Sequence, residues 1–121
     1  MCDIREISDV LQKKAAVELN EVPERIAADL KALKDWIQLT PYLKARTEDQ
    51  FLVAFLRGCK YSLEKAKKKL DTYYSVRQVL PEMMHGRDPT DKKMLEIVRL
   101  GVGLPLPNTK TPEGPRVLLI R

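Results

Sequence analysis

The sequence predicts a mainly α chain: a small multi-helix bundle, then a short extended segment and the first strand of an α/β domain. Three observations predict it. Apolar residues recur at helical spacing in successive segments between about residues 4 and 98, each bounded by Pro, Gly or a capping residue. Pro and Gly then crowd residues 101–107, where a helix cannot continue. Last, Arg116-Val117-Leu118-Leu119-Ile120-Arg121 is a β-branched, nearly all-apolar run of the kind found in a sheet covered on both faces.

Taken in order, residues 4–19 place Ile7, Val10, Leu11, Ala15 and Leu19 at helical spacing, so an amphipathic first helix is expected. Asn20-Glu21-Val22-Pro23 stops it. Pro23 suits the first turn of a second helix, with Glu24 at its positive end. Ile26, Leu30, Leu33 and Ile37 share one face of that helix, and Thr40-Pro41 ends it near Leu39. After a connector, Thr47 reads as an N-cap with Gln50 three residues on, a capping box. The third helix, about residues 48–57, is apolar on most sides and is expected to be the most buried. Gly58 is placed to take the left-handed position that closes it. Ser62 then caps a fourth helix whose inward stripe is Leu63, Ala66, Leu70, Tyr73 and Tyr74.

Pro81 interrupts that helix, and Glu82 to His85 allow one short turn. Asp88-Pro89-Thr90-Asp91 offers a turn and caps for a helix through Met94, Leu95, Ile97 and Val98, ended by Gly101. The C-terminal run has one candidate partner, an edge at residues 102–106. Two strands alone are marginally stable, which leads to the expectation of a truncated chain: a complete helical module plus the opening of an α/β domain.

Composition narrows the function classes. A 121-residue chain with 44% hydrophobic and 32% charged residues can bury one core. No apolar run approaches the roughly 18–20 residues that span a bilayer. The N-terminus alternates charges, so no secretory signal is expected, and Cys2 in place of Gly argues against myristoylation. Cys2 and Cys59 are therefore expected as reduced thiols in a cytoplasmic protein. Catalysis has little to stand on. His85 has no nucleophile teamed with it, and no phosphate loop, zinc spacing or calcium loop occurs. No cofactor, metal or catalytic residue is expected.

Charge is the more informative property. Residues 1–40 carry six Lys/Arg against eight Asp/Glu, whereas residues 41–80 carry nine against four. At 100° per residue Lys65, Lys68 and Lys69 share one side of the fourth helix, with Arg57 and Lys60 at the adjoining turn. Glu64 with Lys68 and Lys67 with Asp71 have the i,i+4 spacing of neutralising pairs. A solvated face is the plain reading of such a run. The functional one is a surface for anionic lipid, formed by Arg57, Lys60, Lys65, Lys68 and Lys69. Nucleic acid is not expected as a partner, because Trp36, Tyr73 and Tyr74 fit a core better than a base-stacking platform.

Two separated motifs resemble one family. Phe51-Leu52-Val53-Ala54-Phe55-Leu56-Arg57-Gly58-Cys59-Lys60-Tyr61-Ser62-Leu63-Glu64-Lys65-Ala66, continued by Tyr73-Tyr74, Arg77 and Pro81, resembles the signature of the CRAL-TRIO N-terminal domain. Gly103-Leu104-Pro105-Leu106-Pro107 and Thr111-Pro112-Glu113-Gly114-Pro115-Arg116-Val117-Leu118-Leu119-Ile120-Arg121 resemble the entry to its lipid-binding domain. The resemblance is strongest to insect members similar to alpha-tocopherol transfer protein, retinaldehyde-binding protein and clavesin. It implies a helical domain at residues 1–86 and the start of the lipid-binding domain at residues 87–121. It further implies a monomeric cytoplasmic carrier, transiently at membranes, for a tocopherol- or retinoid-like ligand. Phosphatidylinositol bisphosphate binding at membranes is also implied. Arg57 matches one arginine of the signature, while Cys59 and Ala54 stand where two others occur, which weakens a direct transfer of phosphoinositide contacts. The alternative reading is a helical protein-interaction or regulatory module that binds no lipid.

Overall fold

The computed structural model describes residues 2–106 and 117–120, and the chain divides between Leu80 and Pro81 into two compact units. The first holds four helices: α1 (Asp9–Leu19), α2 (Pro23–Gln38), α3 (Asp49–Gly58) and α4 (Leu63–Val79). Among the described residues the second holds two short helices, α5 (Pro81–Met84) and α6 (Lys92–Arg99), and two strands, β1 (Gly103–Pro105) and β2 (Leu118–Ile120). The mainly α class and the small C-terminal sheet agree with the sequence reading.

The core of the first unit follows from the apolar stripes. α2 contributes Leu30, Leu33 and Ile37, α3 contributes Leu52, Val53 and Leu56, and α4 contributes Ala66 and Leu70, with Leu43 from the connector. Leu33, Leu52, Val53, Leu56, Ala66 and Leu70 are fully buried. A leucine or valine buried this way gains about 1.5–3 kcal/mol over an exposed one. Trp36, Phe51, Phe55 and Tyr74 lie half-buried around this cluster.

Several helix ends depart from the sequence reading, each for a local reason. α1 starts at Asp9, because the Ser8 side chain caps it by accepting from the Leu11 amide at 3.4 Å. Residues 2–8 run outside any helix, and the amides of Asp3 and Arg5 donate to the side chains of Asp49 and Gln50. That engagement takes Gln50 away from the capping box assigned to Thr47. The observed N-cap of α3 is Glu48, with no side-chain cap bond. Val10 and Leu11, expected inward, are 50% and 41% exposed, and Ala15 is the buried residue of α1.

The α3–α4 turn also differs. Gly58 remains helical, and Lys60 and Tyr61 take the left-handed conformation, with φ of 51° and 59°. The Tyr61 amide reaches back to the Leu56 carbonyl at 2.8 Å, which closes the helix two residues later than a Gly58 cap would. Ser62 sits at the N-cap of α4 without a side-chain cap bond.

In the second unit, Gly101 (φ 65°) does end the segment after α6 as expected. The strands pair antiparallel, with Gly103 opposite Ile120 and Pro105 opposite Leu118. The C-terminal run is of a kind found in sheets covered on both faces, and here every residue of β1 and β2 is exposed. Among the described residues the sheet has two strands, each offering the other one partner edge, and their side chains lie in solvent. The turn expected at residues 108–115 lies outside the described residues.

Candidate functional site

The junction between α3 and α4 is tied to the start of α2 by one carboxylate. Glu21 follows the left-handed residue Asn20 (φ 60°) and is only 6% exposed. The Arg57 guanidinium donates to it twice, Nε to Oε2 at 2.7 Å and Nη2 to Oε1 at 3.1 Å. The Tyr61 hydroxyl adds a third bond to Oε2 at 2.6 Å. This fork-on-fork pairing is the strong form of a charge-assisted hydrogen bond. The Arg57 contact holds the Glu21 carboxyl below the usual carboxylate range, against the opposing effect of burial. Glu21 in turn raises Arg57. Burial first, and then the neighbouring Glu21, push the Tyr61 hydroxyl up. Tyr61 therefore acts as a neutral donor.

Arg57 is thus paired with a carboxylate and only partly exposed. The Nε/Nη2 edge of its guanidinium is committed to Glu21, and moving it to a lipid phosphate would leave Glu21 buried and without its cation. The lysines differ. Lys60, Lys65, Lys68 and Lys69 are exposed, and among the described residues no carboxylate lies within ion-pair distance of any of them. Lys69 leans over the end of α3, its Nζ 3.7 Å from where a Cβ on Gly58 would sit, next to the negative pole of that helix. Lys67 pairs with Glu64 at 2.9 Å, an i,i+3 bond in place of the two i,i+4 pairs the spacing suggested. The four free ammonium groups of the turn and α4 give this edge its positive field.

Beside them runs an aromatic row. Phe51, Phe55, Tyr73 and Tyr74 contact one another edge-on, with centroids 5.2–5.9 Å apart. The Arg77 guanidinium lies 3.7 Å from the Tyr73 ring centre and that of Arg46 lies 5.0 Å from Phe51. The Tyr74 hydroxyl accepts from the Arg46 amide at 2.9 Å. The rings are therefore occupied in packing and cation–π contacts.

The remaining concave features are grooves. One of about 340 Å³ is lined by Ile7, Leu11, Ala15 and Leu19 together with Lys14, Glu18 and Arg57. Another, of about 210 Å³, lies between the start of α2 and the α3–α4 turn. Among the described residues no cluster of His, Cys, Asp or Glu can hold a metal ion. No described helix is long and apolar enough to cross a membrane. His85 is exposed, and Cys59 is half-buried beside the core. Sequence reasoning named the cations but missed Glu21 and Tyr61, which stand 36 and four positions from Arg57 and join it only in the fold.

The family model described as "Pinta-like, UBA domain" matches residues 22–94, the stretch that contains α2, α3, α4 and the turn just described. The chain is also 34% identical over 116 residues to a Mus musculus protein named "Alpha-tocopherol transfer protein-like", covering 95% of this chain and 33% of that protein. The human protein of the same name matches to the same extent. Clavesin-2 of Rattus norvegicus is 30% identical over 90 residues, covering 74% of this chain and 28% of clavesin-2. The chain spans about a third of the length of these curated relatives. No solved structure matches it.

Proposed function

The chain belongs to the family of Pinta-like UBA domains within the CRAL-TRIO group, and on that premise we propose that it is the helical part of a non-enzymatic lipid carrier. Residues 1–86 would form the helical module and residues 87–121 the beginning of the lipid-binding domain. The likeness to alpha-tocopherol transfer protein-like proteins across 95% of the chain carries this reading. The ligand class is a tocopherol- or retinoid-like hydrophobe. Its test is fluorescence-monitored tocopherol and retinoid binding to the polypeptide made from the whole reading frame. Saturable binding supports the carrier, and the absence of binding to either ligand rejects that ligand class.

The second part of the proposal is a transient contact between the monomeric protein and anionic membranes rich in phosphatidylinositol bisphosphate. It is supported by the unpaired Lys60, Lys65, Lys68 and Lys69 on one edge. Arg57, grouped with them on sequence grounds, is assigned to holding that edge together. A lysine at such a surface contributes about 1 kcal/mol, so the set favours an anionic vesicle without fixing the protein there. Vesicle sedimentation with and without phosphatidylinositol bisphosphate tests it, and equal sedimentation with neutral vesicles would remove this part. The apolar groove beside α1 favours a second reading, a protein-interaction module. Capture of a defined protein partner through Leu11, with no lipid binding at any length of chain, would establish that reading instead.

A further inference from the structure

The groove of about 210 Å³ between α2 and the α3–α4 turn combines opposite charges that do not satisfy each other. It is lined by Asn20, Val22, Arg25, Asp29, Lys60 and Tyr61. Asp29 is 7% exposed, yet among the described residues nothing donates a hydrogen bond to its carboxylate and no cation lies within ion-pair distance. Arg25 stands one helical turn before it on α2, the spacing at which a pair can form, and does not close on it. Arg25 and Lys60 also line the groove and are exposed, and among the described residues neither holds a carboxylate. Asn20, Lys60 and Tyr61 all have left-handed backbones, so two tight turns form the walls. Tyr61 is fixed in place by its bond to Glu21.

The Asp29 carboxylate lines the groove without a donor or counter-ion among the described residues, and the complement it takes best is a cation with hydrogen-bond donors. The two free cations call for an anion, and a guanidinium with an ammonium suits a phosphate. We propose that this groove is a binding site for a small zwitterion in which a phosphate and an ammonium group are joined by a short linker. The ammonium sits on Asp29 and the phosphate on Arg25 and Lys60, with the Asn20 side chain at the rim. A free metabolite and a zwitterionic phospholipid headgroup share that chemistry. The site is separate from the α4 lysines Lys65, Lys68 and Lys69 and does not depend on an anionic membrane.

The test is titration of the 121-residue chain with O-phosphoethanolamine, followed by backbone amide NMR, beside parallel titrations with inorganic phosphate and with ethanolamine. The expected result is saturable shifts centred on Asn20, Asp29 and Lys60, with O-phosphoethanolamine binding at least about tenfold more tightly than either half alone. Asp29→Asn and Lys60→Glu should each weaken binding by about tenfold or more. Lys60 is exposed, so its variant keeps the test valid if Asp29→Asn disturbs folding. Vesicles of phosphatidylcholine with and without phosphatidylethanolamine separate the sources: enhanced binding to the latter lipid assigns the headgroup, and binding of the soluble zwitterion alone assigns a metabolite. Phosphate binding as tightly as O-phosphoethanolamine would overturn the proposal. So would an absence of saturable shifts, or ligand-free double-mutant coupling showing that Arg25 and Asp29 already satisfy each other.

Discussion

Residues up to Leu80 and residues from Pro81 onward are both rich in apolar side chains, yet they bury them very differently. The four-helix unit encloses Leu30, Leu33, Leu52, Val53, Leu56 and Leu70 almost completely. In the second unit Ile97, Val98, Leu104, Leu118, Leu119 and Ile120 are 47–73% exposed. Periodicity alone does not make a core; an apolar face needs a second layer to meet. α2, α3 and α4 supply that layer to one another, whereas a two-stranded sheet has both of its faces in solvent.

The comparison is broken most directly by truncating one leucine in each unit. Leu52→Ala should cost about 2–5 kcal/mol, because the cavity it leaves is walled by α2 and α4 residues. Leu119→Ala should stay within about 0.5 kcal/mol. Urea denaturation followed by circular dichroism measures both. Equal costs would mean that the strand is covered after all.

Next in size is the Glu21–Arg57–Tyr61 clasp. Arg57→Ala leaves a buried carboxylate without its cation and should destabilise the helical unit by about 3 kcal/mol. Adding Glu21→Gln should recover part of that loss, a coupling that a double-mutant cycle reads. The same clasp gives a pH dependence. The folded protein lowers the Glu21 pKa below its ordinary value of 4.5, so the carboxylate binds its proton more weakly when folded. Its contribution is present above pH 4.5 and is lost as pH falls through the lower folded value. The urea midpoint of Glu21→Gln should therefore fall less than that of the parent chain between pH 6 and about pH 3. The smallest effect is expected at Lys68→Ala, which should change stability by less than about 0.5 kcal/mol while lowering anionic-vesicle binding.

Helix positions were legible because Pro23, Pro41, Gly101 and the stripe Leu30, Leu33, Ile37 act locally. The order of α2, α3 and α4 and the pairing of residues 102–106 with the last strand were legible for the same reason. What escaped depended on distant partners. Gln50 looked like half of a capping box until the Arg5 amide claimed it, 45 residues away. Arg57 looked like one more surface cation because nothing near it in sequence announces Glu21. Asp29 was invisible as a site residue, since its place in the groove beside Lys60 and Tyr61 is a property of the fold alone.

The division of labour between Arg57 and the lysines is the central claim, and one paired measurement tests it. The chain, its Lys65→Ala/Lys68→Ala/Lys69→Ala variant and its Arg57→Gln variant are compared for stability and for binding to vesicles containing phosphatidylinositol bisphosphate. The triple variant should keep its urea midpoint and lose binding on the order of 100-fold, at about 1 kcal/mol per lysine. Arg57→Gln, assayed at a temperature where it remains folded, should lose stability and keep its binding within about threefold. A triple variant that binds like the parent, or an Arg57→Gln variant that is stable but no longer binds, would contradict the account.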